Sequence, residues 1–274
     1  LRNPPPSIYI GNRYYPLTAQ HKVIFACNPL SYGGERLHKP ILERRDHVIT
    51  FPELPPCFLY QEILKPIFSA SNLSLAETLL EDVCKIFLSA SSTLQDYQGN
   101  HPHILISARE LKMMALLFIT YFNKQQQNSI PNQDILNLSK AAAYMVMQNV
   151  LAGIGKEANE KMASEFAKSA AELLDPLPTD NTNEFIYTQS HQQPWQMLTD
   201  LLQVRQLKQE QDQLKDVHGL NGVIFEGESG LGKSLFVKSV LQQQGFTKIS
   251  CVASAASAAS AAEEVPADNK YFYH

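Results

Sequence analysis

Residues 227–234 read Gly-Glu-Ser-Gly-Leu-Gly-Lys-Ser, a complete G-x-x-x-x-G-K-[ST] pattern. No other feature constrains the chain as much, because the pattern needs a strand before it and a helix after it. Residues 222–226 include Val223, Ile224 and Phe225, the short apolar run expected of a buried parallel strand. Downstream, Leu235, Phe236, Val237, Val240 and Leu241 space like one helix face, and Gly245 is placed to cap its end. Glycines at 227, 230 and 232 let the backbone N–H groups, together with those of Glu228, Ser229 and Leu231, wrap a phosphate at a helix N-terminus. Lys233 would then reach the β- and γ-phosphates, and the Ser234 hydroxyl would ligate Mg²⁺. The plain alternative is a glycine-rich turn that binds nothing.

The loop sits near the end of a 274-residue chain, whereas a nucleotide-binding domain usually opens with it. A net charge of −4 gives no basic footprint for nucleic acid and no polybasic patch for a membrane. No apolar run reaches membrane length and no secretory signal is present. Cys27, Cys57, Cys84 and Cys251 lie far apart with no CxxC spacing, so they read as reduced, mostly buried thiols of a cytoplasmic protein. The one close histidine pair, His101 and His103, lacks further ligand candidates for a metal. Asn72-Leu-Ser and Asn137-Leu-Ser match the glycosylation triplet, but without a secretory signal they read as helix-start chemistry.

Along the chain, residues 1–56 read as α/β material, with strands at 22–27 and 48–51 and a short helix at 35–45 between them. Residues 57–174 read as all-helical. Phe58, Leu59, Ile63, Leu64 and Ile67 form one stripe. Ser74 and Glu77 form a capping box opening a helix whose face is Leu75, Leu79, Val83, Ile86 and Phe87. Ser107 and Glu110 form a second box, opening a strongly apolar helix over 111–122. Two more helices are expected at about 132–152 and 157–174. Residues 175–184 are a linker by composition, and 185–274 begin new α/β material. There Pro194 and Trp195 start a helix to about Val217 whose second half is polar. Residues 253–262 repeat Ser-Ala-Ala and are low-complexity, and 270–274 read as the start of a strand.

Three further sites follow in order: Asn28-Pro29 at the end of a strand, Arg44-Arg45 on a helix, and Ser107-Ala-Arg109-Glu110 at a helix start. With the glycine loop, this order resembles AAA+ ATPases, in the branch of midasin-, dynein- and mysterin-like multi-module proteins and the related MoxR group. The resemblance covers about residues 8–174 and 185–245. It implies an α/β P-loop NTPase core with a parallel sheet plus an all-α helical lid, helix-rich overall. It makes Asn28 the polar sensor beside the γ-phosphate, Arg44 the arginine finger and Arg109 the lid sensor. Each type suits its role: Asn orients water, and arginines neutralise charge in phosphoryl transfer. Ordinary readings stand beside these, namely a turn at Asn28, a solvated helix end at Arg44 and a first-turn residue at Arg109.

The order departs from the family's, with the sensor half and lid first and the loop last. No run of four apolar residues followed by Asp-Glu occurs, the pair that would hold Mg²⁺ and activate water. Two architectures account for the rotation: an excerpt from a tandem protein, with the end of one module (1–174) and the start of the next (185–274), or a permuted single site. The tandem arrangement is the expected one. The implied activity is an ATP- and Mg²⁺-dependent ring motor that packs against neighbouring AAA+ modules and remodels a protein partner. The alternative is a module that binds nucleotide without hydrolysing it. A GTPase would show Asn-Lys-x-Asp, which Asn123-Lys124 and Asn269-Lys270 do not continue.

Overall fold

The computed structural model describes residues 7–18, 20, 54–71, 73–95, 106–125, 131–150, 164, 166–168, 170–171, 177–178, 185–217, 223–249 and 271–273. The chain divides into two units, Leu1–His47 and Val48–His274.

In the first unit the described residues form an antiparallel hairpin, β1 (Ser7–Ile10) and β2 (Arg13–Pro16), registered from Ser7 with Pro16 to Ile10 with Arg13. Its two-residue turn is Gly11-Asn12, both at positive φ (56° and 64°), the tight turn whose twist matches a hairpin. Tyr9 donates to Asn12 at 3.2 Å and packs on Tyr14, ring centroids 4.7 Å apart. The strands and helix expected at 22–27, 35–45 and 48–51 lie outside the described residues.

The second unit is built on helices. Pro56, at the first position of the short helix α1 (Pro56–Phe58), needs no hydrogen-bond acceptor there. A π-helical turn over Leu59–Leu64 follows, closed by the Lys65 N–H on the Tyr60 carbonyl, and then α2 (Lys65–Ala70). Pro66 explains the wide turn: its ring cannot donate into the ladder, so the helix takes an i→i−5 step just before it. The chain continues with α3 (Glu77–Gln95), α4 (Ala108–Gln125) and α5 (Asn132–Val150).

Helix α4 starts as its sequence requires. The Ser107 N–H donates to Glu110 Oε2 at 2.8 Å, the Ser107 hydroxyl bonds the same oxygen, and the Arg109 N–H donates to Ser107 Oγ at 3.2 Å. Residues 114–122 of α4 are all buried, so α4 is the central helix, packed on α2, α3, α5 and the π turn. Phe68, Phe87 and Phe118 meet there, with Phe118 edge-on to Phe68 at 5.9 Å and to Phe87 at 6.3 Å. The start of α3 differs from expectation. The helix opens at Glu77, with Leu79 and Leu80 bonding the Ala76 carbonyl, and the Glu77 carboxylate takes Lys65 Nζ at 2.8 Å. The carboxylate that a capping box would use is thus engaged by a lysine of α2. Asn137 lies inside α5, not at a helix start, and Ser139 is buried, donating to the Leu136 carbonyl at 2.7 Å. Cys84 is buried and its thiol is pushed up to about 12 by that burial, whereas Cys57 is exposed; Cys27 and Cys251 lie outside the described residues.

Helix α6 (Gln192–Glu210) joins two cores. Val204 and Leu207 enter the large helical core, while Trp195 and Leu198 enter a smaller one with Phe185, Phe236 and Val240. Between these, buried Asp200 accepts from the Tyr121 hydroxyl of α4 at 2.6 Å and from Gln196 Nε2 at 2.9 Å. Tyr121→Phe removes one donor from a buried carboxylate, and urea unfolding should show a loss of about 1–3 kcal/mol. After α6 come a 3₁₀ turn (Asp212–Leu214), α7 (Lys233–Gln243) and two short strands, β3 (Thr247–Ile249) and β4 (Tyr271–Tyr273), paired in parallel.

The parallel-sheet P-loop α/β fold is therefore not what forms. Among the described residues helices dominate, and the strands make only two two-stranded pairs. Residues 223–226, expected as a buried strand, belong to neither pair, and Ile224 is 92% exposed. Three apolar residues specify extended backbone but not the neighbours that would bury it on both faces. The helix-rich part of the expectation holds through α3, α4 and α5. No helix among the described residues is long and apolar enough to cross a membrane.

Candidate functional site

The glycine loop takes the conformation its sequence demands. Gly230 (φ 86°) and Gly232 (φ 70°) both occupy the left-handed region, where a Cβ is strained by about 1–2 kcal/mol. Gly232 stands at the N-cap of α7, and its carbonyl accepts the first helical bond from the Phe236 N–H at 2.8 Å. No side chain caps this helix start, so the N–H groups of its first turn point outward with the positive end of the dipole. At the other end, Gly245 (φ 78°) closes α7: Gly245 N–H donates to the Gln242 carbonyl at 3.0 Å and Phe246 N–H to Leu241 at 2.9 Å, the paired bonds of a Schellman cap.

Lys233 folds back over the loop. Its ammonium donates to the Gly227 carbonyl at 2.8 Å and to the Glu228 carbonyl at 2.6 Å. An ammonium carries three N–H bonds, so one is left to meet an anion beside the uncapped helix start. Glu228, Ser229, Leu231 and Ser234 are exposed, which leaves the rim of the loop open. The Ser234 hydroxyl sits in the first turn of α7, where a cation bridging to bound phosphate could use it. Among the described residues no cluster of three or more His, Cys, Asp or Glu could hold a metal.

Beneath the loop lies a layer of rings that the sequence analysis missed. A Cβ on Gly232 would stand 3.4 Å from Phe185 Cε2, so the Phe185 ring fills the space that a side chain at this position would need. Phe185 packs edge-on against Tyr187, His191 and Phe236 at 5.1, 5.0 and 5.5 Å. His191 stacks on Phe236 at 5.7 Å with 24° between planes, and Phe225 meets Phe236 edge-on at 5.8 Å. The Tyr187 hydroxyl lies within hydrogen-bond distance of the Ser239 hydroxyl, at 2.9 Å, and of Gln243 Oε1, at 3.3 Å, both on α7. Burial raises the Tyr187 pKa and those two hydrogen bonds oppose the rise.

The layer is fixed at its edge by a capping box of unusual composition. Thr188 caps the 3₁₀ turn Gln189–His191, and its N–H donates to His191 Nδ1 at 3.1 Å. The Thr188 hydroxyl also bonds His191 Nδ1, at 2.8 Å. Histidine here does the work that Glu or Gln does in the usual box, so the pattern Thr-Gln-Ser-His is not recognisable by type.

Of the other sequence-predicted residues, Arg109 is exposed in the first turn of α4. Among the described residues no hydrogen bond or ion pair joins its guanidinium to residues 227–234. Asn28 and Arg44 lie outside the described residues. No protein-family model, curated protein or solved structure matches this chain.

Proposed function

We propose that residues 227–234 bind the phosphates of a nucleotide, with ATP and Mg²⁺ as the ligand. One observation carries this reading: Lys233 and the uncapped first turn of α7 converge on one open loop whose left-handed glycines hold the backbone clear of side chains. That combination suits a multiply charged anion, through dipole, backbone donors and a lysine point charge together. On the resemblance to AAA+ ATPases, the chain is part of a ring of such modules that hydrolyses ATP to remodel a protein partner. In that setting Asn28, Arg44 and Arg109 act on nucleotide, Arg44 at a neighbouring module's site. Binding without hydrolysis is the second reading, supported by the lack of an Asp-Glu pair after an apolar run.

Calorimetry with Mg-ATP tests both the reading and the arrangement of the sites. The tandem arrangement expects Arg109→Ala to bind as the parent does, within about twofold, since exposed substitutions away from a ligand cost little. Equal loss of binding in Arg109→Ala and in Lys233→Ala would place both residues on one nucleotide and favour the permuted arrangement.

A further inference from the structure

We propose that α6 holds a row of ordered water molecules inside the protein, one bridging Trp195 to Thr199 and one bridging Thr199 to Gln203. The row does not depend on what the phosphate loop binds.

Among the described residues, five buried side-chain polar atoms have no hydrogen-bond partner: Tyr60 Oη, Trp195 Nε1, Thr199 Oγ1, Gln203 Oε1 and Gln211 Oε1. Three of them stand on α6 at residues spaced by four, so they share one stripe of the helix. The next position on that stripe, Leu207, is apolar and packs in the helical core, which ends the row at Gln203. At its other end Trp195 belongs to the small core beneath the phosphate loop. The row thus follows α6 along the stretch where it passes from one core to the other.

Burial and chemistry select the occupant. Trp195 and Thr199 are 6% and 2% exposed, too deep for a partner's side chain, and Gln203 is half-buried with its Oε1 buried. An orphaned polar atom in such a place costs the folding equilibrium a factor of about 5 to 100. The indole N–H of Trp195 only donates, the amide oxygen of Gln203 only accepts, and the Thr199 hydroxyl does both. An anion suits the first and not the second, and a cation the reverse. Water suits all three in one direction. Trp195 donates to a first water, which donates to the Thr199 hydroxyl; the hydroxyl donates to a second water, which donates to Gln203. Side chains four apart on a helix stand about 5–6 Å apart at Cβ, close to the span of two hydrogen bonds of about 2.8 Å through one oxygen. The wall beside the row is polar, as a water site requires. Gln196 and Asp200, each one position further along α6, are buried and bonded to each other, and Asp200 also accepts from Tyr121.

The test uses Thr199→Val, which keeps the shape of the side chain and removes the hydroxyl, and the sign of its effect decides. A hydroxyl with no partner is an orphan, so its removal raises stability; a hydroxyl that holds two waters leaves both short of a partner when it goes. The folding equilibrium constant from urea unfolding should fall about tenfold. Gln203→Met should also lower it, and the double variant should lose less than the two single losses combined, because both act on the same water. A crystal structure of the parent protein tests the row without any variant. It should place one water within hydrogen-bond distance of both Trp195 Nε1 and Thr199 Oγ1, and a second between Thr199 Oγ1 and Gln203 Oε1. A crystal structure that lacks either bridge, or a Thr199→Val protein at least as stable as the parent, overturns the row.

Discussion

Lys233→Ala should weaken Mg-ATP binding by about 10- to 100-fold or more while leaving the unfolding midpoint almost unchanged. The asymmetry follows from where the ammonium sits. Its two protein partners are the Gly227 and Glu228 carbonyls, both in an exposed loop, and water replaces the lysine there at little cost. A surface substitution of this kind stays within about 0.5 kcal/mol of the parent's stability. The phosphate has no such replacement. Each charged hydrogen bond it loses is worth about 1.5–3 kcal/mol, and about 1.4 kcal/mol is a factor of ten in Kd. Calorimetry and urea unfolding on the same preparation separate the two effects. A variant that binds ATP as the parent does would remove Lys233 from the site.

Phe118→Ala should have the largest effect on stability, about 3–5 kcal/mol. Phe118 is fully buried in the central helix and makes edge contacts with Phe68 and Phe87 and a tilted contact with Phe122 at 6.1 Å. Three helices close on this ring, and the neighbours on α2 and α3 are themselves large and fixed, so they cannot collapse into the space left behind. The loss is a large part of the about 5–15 kcal/mol that holds a typical domain. It should appear as a lower urea midpoint with an unchanged slope. A loss below about 1 kcal/mol would mean that the three rings do not form the centre of the core.

The parts of the fold that could be read from the sequence are those fixed by local chemistry. Met113 to Ile119 is an unbroken apolar run within the strongly apolar segment 111–122, and a helix that is apolar nearly all round belongs inside a core. Ser107 and Glu110 are three apart at a helix start, and they close on each other in the structure. Gly245 ends α7 because both cap bonds need a left-handed residue there. The glycine loop and the Tyr271–Tyr273 strand were legible on the same terms. What misled was sequence whose outcome depends on distant partners. Val223, Ile224 and Phe225 are apolar, but whether such a run becomes a strand depends on neighbours it does not encode. Glu77 has the spacing of a capping box with Ser74 and instead pairs with Lys65, twelve residues away. The Gly11-Asn12 hairpin did carry a local turn signal, which an α/β reading of residues 1–56 passes over. In the site, Lys233 and its glycines were explicit, whereas the ring layer beneath was not. Phe185, His191 and Phe236 are brought together from segments on both sides of α6, and His191 caps with a nitrogen where the usual pattern has a carboxyl or amide.

The most direct test of the account is a Mg-ATP titration followed by the backbone amide signals of this chain. The account predicts saturable shifts concentrated at residues 227–235, carried by the N–H groups of the loop and the first turn of α7, and absent in Lys233→Ala. Shifts that are spread over the chain, or a loop that stays unmoved by millimolar Mg-ATP in the parent, would contradict it.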